Sequence, residues 1–177
     1  VTVTNIINPI LVLVAILLGG SIGALFALRV KMTSIPEMVA LFNGFGGLSS
    51  FFLAWSEFTS ISEINILVLI TSLTVFIGGV TFSGSVIAFL KLSESLKSSP
   101  VFLDKFSRVF LITSFIYLGF FTVTVLLDLF NFGPNLLAVS DGFIVLLIVS
   151  ILAGIFFVLP IGGGDMPVVI SLLNSLS

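Results

Sequence analysis

Two asparagines sit at matching places in this chain. Asn43 follows Pro36 by seven residues in Thr33-Ser34-Ile35-Pro36-Glu37-Met38-Val39-Ala40-Leu41-Phe42-Asn43-Gly44. Asn174 follows Pro167 by the same seven in Gly164-Asp165-Met166-Pro167-Val168-Val169-Ile170-Ser171-Leu172-Leu173-Asn174-Ser175. Both lie in apolar runs, where a polar side chain pairs with another helix or faces a water cavity. An amide takes up no proton at neutral pH. It can orient water or gate a chain of waters, or it can serve as hydrogen-bond glue between helices. The residues alone leave both readings open. A second group, Thr81, Ser83 and Ser85, lies in Gly78-Gly79-Val80-Thr81-Phe82-Ser83-Gly84-Ser85. Close helix packing is the simpler role for such small residues, and a hydroxyl-lined water path is the functional alternative. A third is Gly162-Gly163-Gly164-Asp165-Met166-Pro167. Its glycines permit unusual backbone angles and close approach of another surface. Asp165 can cap the following helix and puts a carboxylate where a soluble domain could dock. No strand precedes it, so it is not a phosphate-binding glycine loop. Glu37, in a first helical turn, suits the helix dipole, with proton entry as the alternative.

The absences exclude more. The chain has no Cys and no His. Thiolate and imidazole metal sites, disulfides, thiol nucleophiles and a Ser-His-Asp triad are all excluded, and so is the side chain that titrates near neutrality. Proton chemistry here falls to carboxylates, hydroxyls, amides and water, or to a group from another chain. No metal site, catalytic residue or cofactor-binding residue is expected within these residues. Six Lys and Arg make no basic stripe for nucleic acid.

The elements that must position these residues follow from composition. Of 177 residues, 58% are hydrophobic and 8% charged. A soluble domain carries about 25% charged residues, so lipid is the expected solvent. The length allows about six spans. The apolar runs are Ile10 to Leu28, Pro36 to Trp55, Ile64 to Leu90, Val109 to Leu127 and Leu136 to Leu159, with a sixth starting at Met166. Backbone amides in lipid must pair within a segment, and the runs lack the alternation of a barrel, so all are expected as helices. Arg29, Lys31, Lys91, Lys97, Lys105 and Arg108 all fall on loops of one side, while Glu57, Glu63, Asp128 and Asp141 fall on the other. The positive-inside rule puts the basic loops and the Gly163 loop in the cytoplasm or matrix. The expected fold is an all-α, polytopic transmembrane helix bundle, a single membrane domain over 1–177. The chain opens at Val1 without a basic n-region and closes inside an apolar stretch, which reads as a piece of a longer protein.

Three blocks then carry a resemblance. Lys31-Met32-Thr33-Ser34-Ile35-Pro36-Glu37-Met38-Val39-Ala40, Gly79-Val80-Thr81-Phe82-Ser83-Gly84-Ser85-Val86-Ile87-Ala88-Phe89 with Lys91-Leu92, and Gly163-Gly164-Asp165-Met166-Pro167-Val168-Val169 with Leu173-Asn174-Ser175 closely resemble the beta subunit of proton-translocating NAD(P) transhydrogenase. The resemblance runs over nearly the whole chain and lies within that family's membrane domain. It implies a complex that couples hydride transfer between NAD(H) and NADP(H) to proton movement across the membrane.

By resemblance, Asn174 matches a channel-lining Asn, and Asp165 a cytoplasmic Asp that couples to the NADP(H)-binding domain. Asn43 matches a position held by the channel His in some members and by Asn in others. In the latter, a helix of the alpha subunit supplies the His. The implied proton channel is Asn43 and Asn174, with Thr81, Ser83 and Ser85 as further candidates. The implied coupling residues are Gly163, Gly164 and Asp165. The implied partners are the alpha subunit, with its NAD(H)-binding domain and membrane helices, the chain's own downstream NADP(H)-binding domain, a second alpha-beta assembly, and lipid. NAD(H) and NADP(H) belong to the whole complex, and none is expected to bind this fragment. The expected location is the bacterial inner membrane, with the mitochondrial inner membrane as the alternative. Two readings from other classes stand beside this one: a small repeat-built secondary transporter with broken helices at the glycine turn, and a structural membrane subunit.

Overall fold

A computed structural model describes residues 9–61, 63, 65–96, 102–130 and 136–176. Every regular element among them is helical. The helices are α1 (Pro9–Arg29), α2 (Ile35–Thr59), α3 (Ile66–Leu92), α4 (Phe102–Leu129), α5 (Leu136–Val158) and α6 (Met166–Leu176). Short 3-10 turns, Met32–Ser34 and Gly163–Asp165, precede α2 and α6. Five helices are long and apolar enough to cross a membrane, and the 11 residues of α6 begin a sixth apolar segment.

Two compact units divide the chain, Val1–Ile35 and Pro36–Ser177. The first contains α1, 21 residues of apolar helix closed by Arg29 in its last turn. That arrangement suits a lipid-facing span, with the cation at the negative end of the helix dipole.

The second unit is built around α3, which packs against α4, α5 and α6 and, through glycines, against α2. Lipid supplies no hydrophobic drive between helices, so close approach of small residues must hold the bundle together. Gly47 and Gly78 meet reciprocally: a Cβ on Gly47 would lie 2.9 Å from the Gly78 carbonyl, and one on Gly78 would lie 2.8 Å from that of Gly47. Gly154 of α5 sits against α3 even more tightly, with a Cβ there only 2.3 Å from the Val80 carbonyl. Above and below this layer lie two apolar clusters. One gathers Phe51, Val75, Phe121, Phe143 and Leu146. The other gathers Ala40, Ala88, Val158, Met166 and Leu173. The outer face of α4 (Val109, Ile112, Ile116, Phe120, Val123, Leu127) stays exposed at helical spacing, as a lipid-facing stripe does.

Three expectations shift. First, α4 starts at Phe102, not Val109: Asp104 stands in its first turn, and Arg108 Nε donates to the Asp104 carbonyl at 3.3 Å. Hydropathy marks only the part of a helix that lipid covers, so a charged helical extension reads as loop. Second, α2 runs on to Thr59 and α4 to Leu129, so Glu57 and Asp128 are helical and not on loops. Third, Lys91 is the last-turn cation of α3 and is buried, not a solvated loop charge. Lys97 and the Gly133-Pro134 turn lie outside the described residues.

Candidate functional site

The site forms where α2 crosses α3. Asn43 of α2 is 9% exposed, and its Nδ2 donates to Ser85 Oγ of α3 at 2.9 Å. Glycines on the same α2 face permit the approach: a Cβ on Gly44 would stand 3.3 Å from Ser85 Cβ, and one on Gly47 would stand 2.9 Å from Thr81 Cβ. Thr81 lies one turn from Ser85 on the same face of α3. Its Oγ1 is buried, with no hydrogen-bond partner among the described residues. A helical Thr usually satisfies its hydroxyl on a preceding carbonyl, as Thr71 does on Leu67 at 2.8 Å. Thr81 keeps a donor and an acceptor that no described protein group takes up where α2 meets α3. A line of amide, hydroxyl and hydroxyl thus runs along the seam.

Ser83 belongs to another seam. Successive helical residues turn by about 100°, so Ser83 points away from Thr81 and Ser85. Its Oγ donates to its own helix at Gly79 O, 2.8 Å, and a Cβ on Gly154 of α5 would collide with it at 2.1 Å. The three hydroxyls grouped by sequence are thus divided between two interfaces.

The local resemblance of the two Pro-containing starts is matched in backbone. Lys31 (φ −75, ψ 147) and Gly162 (φ −69, ψ 154) enter their 3-10 turns alike, and Ile35 (φ −56, ψ −46) and Met166 (φ −58, ψ −39) leave them alike. Each Pro then occupies an early helical position, where no amide is needed. The burial registers differ. On α2 the buried set is Ala40, Asn43, Gly44 and Gly47. On α6 it is Met166, Val169, Ile170 and Leu173. Relative to Pro, α6 presents a face one residue earlier. Asn43 therefore points inward, while Asn174 lies on the exposed side of α6, with Ser171 and Ser175.

Gly163, Gly164 and Asp165 are exposed in the second 3-10 turn, which the Asp165 amide closes on the Gly162 carbonyl at 3.1 Å. None of the described glycines has a positive φ. A Cβ on Gly162 or Gly164 would meet nothing, and one on Gly163 would meet only the Lys91 carbonyl, at 4.0 Å. Neither backbone angle nor packing within this unit therefore requires glycine here. Glu37 is half-buried in the first turn of α2, as the dipole reading expects.

Sequence reasoning missed Lys91. Its Nζ donates to the carbonyls of Val158 at 3.3 Å, Leu159, and Ile161 at 2.5 Å. A lone Lys ending a long apolar run signals a helix C-terminus. Which helix end the ammonium serves is a tertiary fact.

Long apolar helices enclosing a thin polar layer define the class, a polytopic integral membrane protein. Within that class the chain belongs to the NAD(P) transhydrogenase beta subunit family, whose profile matches residues 1–177. Two proteins named NAD(P) transhydrogenase subunit beta, both from Rhodospirillum rubrum and one of them from a designated strain, are each 32% identical over 178 residues. The alignments cover 94% of this chain and 36% of theirs, so the chain spans about a third of the length of these relatives.

Proposed function

We propose that this chain is the proton-conducting membrane part of a transhydrogenase beta subunit, within a complex that links hydride transfer between NAD(H) and NADP(H) to proton movement. The observation that carries the reading is the buried Asn43–Ser85 hydrogen bond with the unpartnered Thr81 hydroxyl one turn away. Asn, Ser and Thr between membrane helices act as hydrogen-bond glue or line a water path, and a buried Thr81 hydroxyl that no neighbouring group satisfies favours the path. The Asn43 amide, fixed by Ser85, orients a water. The Thr81 hydroxyl, able to donate and accept, passes the hydrogen-bond chain along α3. None of these groups holds a proton at neutral pH. The titrating group therefore comes from a second chain, the alpha subunit, whose membrane helix carries a His in members with Asn at the Asn43 position.

The exposed polar side of α6 supports the same partner. Asn174, Ser171 and Ser175 share the exposed side of α6 and suit the surface of a neighbouring helix. Asn174 then lines the path from its other wall. The exposed Gly163–Asp165 turn, where no neighbour in this unit requires glycine, is the docking point of the family's NADP(H)-binding domain. Nucleotide state acts on this turn and opens the water path to one side at a time. The hydride transfer itself, the NAD(H) site and the pairing of two alpha-beta assemblies lie outside these residues, and the location is an energy-coupling inner membrane.

The test uses the full-length protein co-expressed with its alpha partner in liposomes, with internal pH followed after adding NADPH and an NAD analogue. The expected result is nucleotide-dependent acidification that vanishes without the partner. In inserted, assembled protein, Asn43→Leu and Asn174→Leu should each lower it at least about tenfold, the loss expected for a group that must hydrogen-bond a water in transit. Acidification unchanged in both variants would remove these asparagines from the path. No nucleotide-linked pH change in the natural complex would shift weight to a transporter or a structural subunit.

A further inference from the structure

Lys91 ends α3 as a cation inside the protein, 7% exposed. Its ammonium donates to the carbonyls of Val158, Leu159 and Ile161, the end of α5 and the residues just after it. An ammonium has three donors, so three carbonyls satisfy it. The last carbonyls of a helix lack intrahelical donors and carry the negative end of its dipole. Lys91 thus caps a helix other than its own.

The backbone of the same residue makes a second junction. The Lys91 carbonyl accepts from the Glu94 amide at 3.2 Å, in a turn where Glu94 takes φ 56. That left-handed conformation is uncommon for a residue with a Cβ, and it persists where surrounding contacts impose it. The carbonyl also faces Gly163, whose Cβ position is 4.0 Å away, and the Gly163–Asp165 turn packs on α3. Lys91 therefore grips the chain just before the glycine turn with its side chain and abuts the turn with its backbone. Six residues back along the same helix stands Ser85, the partner of Asn43. The separation is about 9 Å of continuous α-helix, a stiff element.

We propose that Lys91 is a positioning residue that ties the Gly163–Asp165 turn to α3, so that displacement of the turn is carried to the Asn43–Ser85 pair. The proposal rests on the reading of this turn as the docking point of the nucleotide-binding domain. Lys91→Met keeps the aliphatic stem and removes the three donors. Lys91→Arg keeps a cation that reaches the same carbonyls.

The experiment is hydrogen exchange by mass spectrometry on the natural full-length complex with and without NADPH, followed by the two variants. Expected in the natural complex is a concerted change of at least about threefold in exchange rate in peptides covering 162–166 and 86–92. In Lys91→Met the response stays in 162–166 and is lost from 86–92, and Lys91→Arg restores it. In liposomes, Lys91→Met should lower protons moved per hydride about fivefold, while hydride transfer in the presence of a protonophore stays within twofold. A natural complex in which 162–166 responds and 86–92 does not would overturn the link without recourse to any variant, as would a Lys91→Met complex that keeps both responses. Failure of 162–166 to respond at all in the natural complex would refute the docking reading on which the proposal stands.

Discussion

Gly154→Ala should be among the most damaging single-methyl changes in this chain. The added Cβ would lie 2.1 Å from Ser83 Oγ, 2.3 Å from the Val80 carbonyl and 2.9 Å from the Gly84 amide. Two of these three atoms are α3 backbone and cannot swing aside. The closest of them reaches ordinary van der Waals distance only if α3 and α5 separate locally by roughly 1 Å, a gap that forfeits a quarter to a half of each dispersion contact it opens. Overpacking of this kind costs about 1–3 kcal/mol. The backbone character of the clash puts Gly154→Ala at the upper end, near 3 kcal/mol. For a protein of this size, about 2–4 °C per kcal/mol gives a fall in thermal midpoint of about 6–12 °C. The assay is thermal unfolding of the detergent-solubilised protein, with Gly119→Ala as control, since a Cβ there would meet nothing within 4 Å. Adding Ser83→Ala removes the 2.1 Å clash and leaves the one at 2.3 Å, so rescue should be partial. A Gly154→Ala midpoint within 1–2 °C of the control, a shift of about 0.5 kcal/mol or less, would refute the description of α3 and α5 as backbone-to-backbone packed.

Two further outcomes follow from the site. Thr81→Val replaces an unpartnered buried hydroxyl with a methyl of similar shape, a change expected to leave stability the same or slightly higher. Proton movement in liposomes should nonetheless fall several-fold, and a lower thermal midpoint with normal proton movement would show the hydroxyl to be structural. Gly164→Ala, at an exposed position with open space and no positive φ, should change stability by less than about 0.5 kcal/mol. It should weaken coupling of proton movement to nucleotide if another domain approaches the turn closely, and full coupling would show that glycine is not needed there.

Most of the fold was legible because lipid makes each span a continuous apolar run. The five long helices fall where the runs do, and α6 starts at Met166 as expected. Ends of helices in water were not legible: nothing in the hydropathy of Phe102 to Arg108 separates helix from loop. The division of Thr81 and Ser85 from Ser83 was available in principle. Residues spaced by two share a face in a strand and not in a helix, so helical geometry alone sets Ser83 on another face from Thr81 and Ser85. The opposite fates of Asn43 and Asn174 were not available. Their surroundings in sequence match, and their 3-10 turns match in dihedral angles, yet the buried face is set by where α3 lies. Lys91 was illegible for the same reason, since its three acceptors lie 67 to 70 residues away along the chain.

The contacts of α3 also limit how the bundle can rearrange. On the α5 side, Gly79 faces Ser150 and Gly154 faces Ser83 and Val80, at distances that leave no room for a methyl. Interfaces this tight are bistable at best and do not deform smoothly. Lys91 clamps the same pair of helices at one end. On the α2 side the helices touch at Gly47 and Gly78, and a cavity of about 260 Å³ lined by residues such as Ala40, Gly44, Phe82 and Val86 lies nearer the start of α2. A local shift thus has room beside that cavity and none between α3 and α5. If α3 and α5 shift together against α2, the Asn43–Ser85 hydrogen bond is a polar contact that the shift must break.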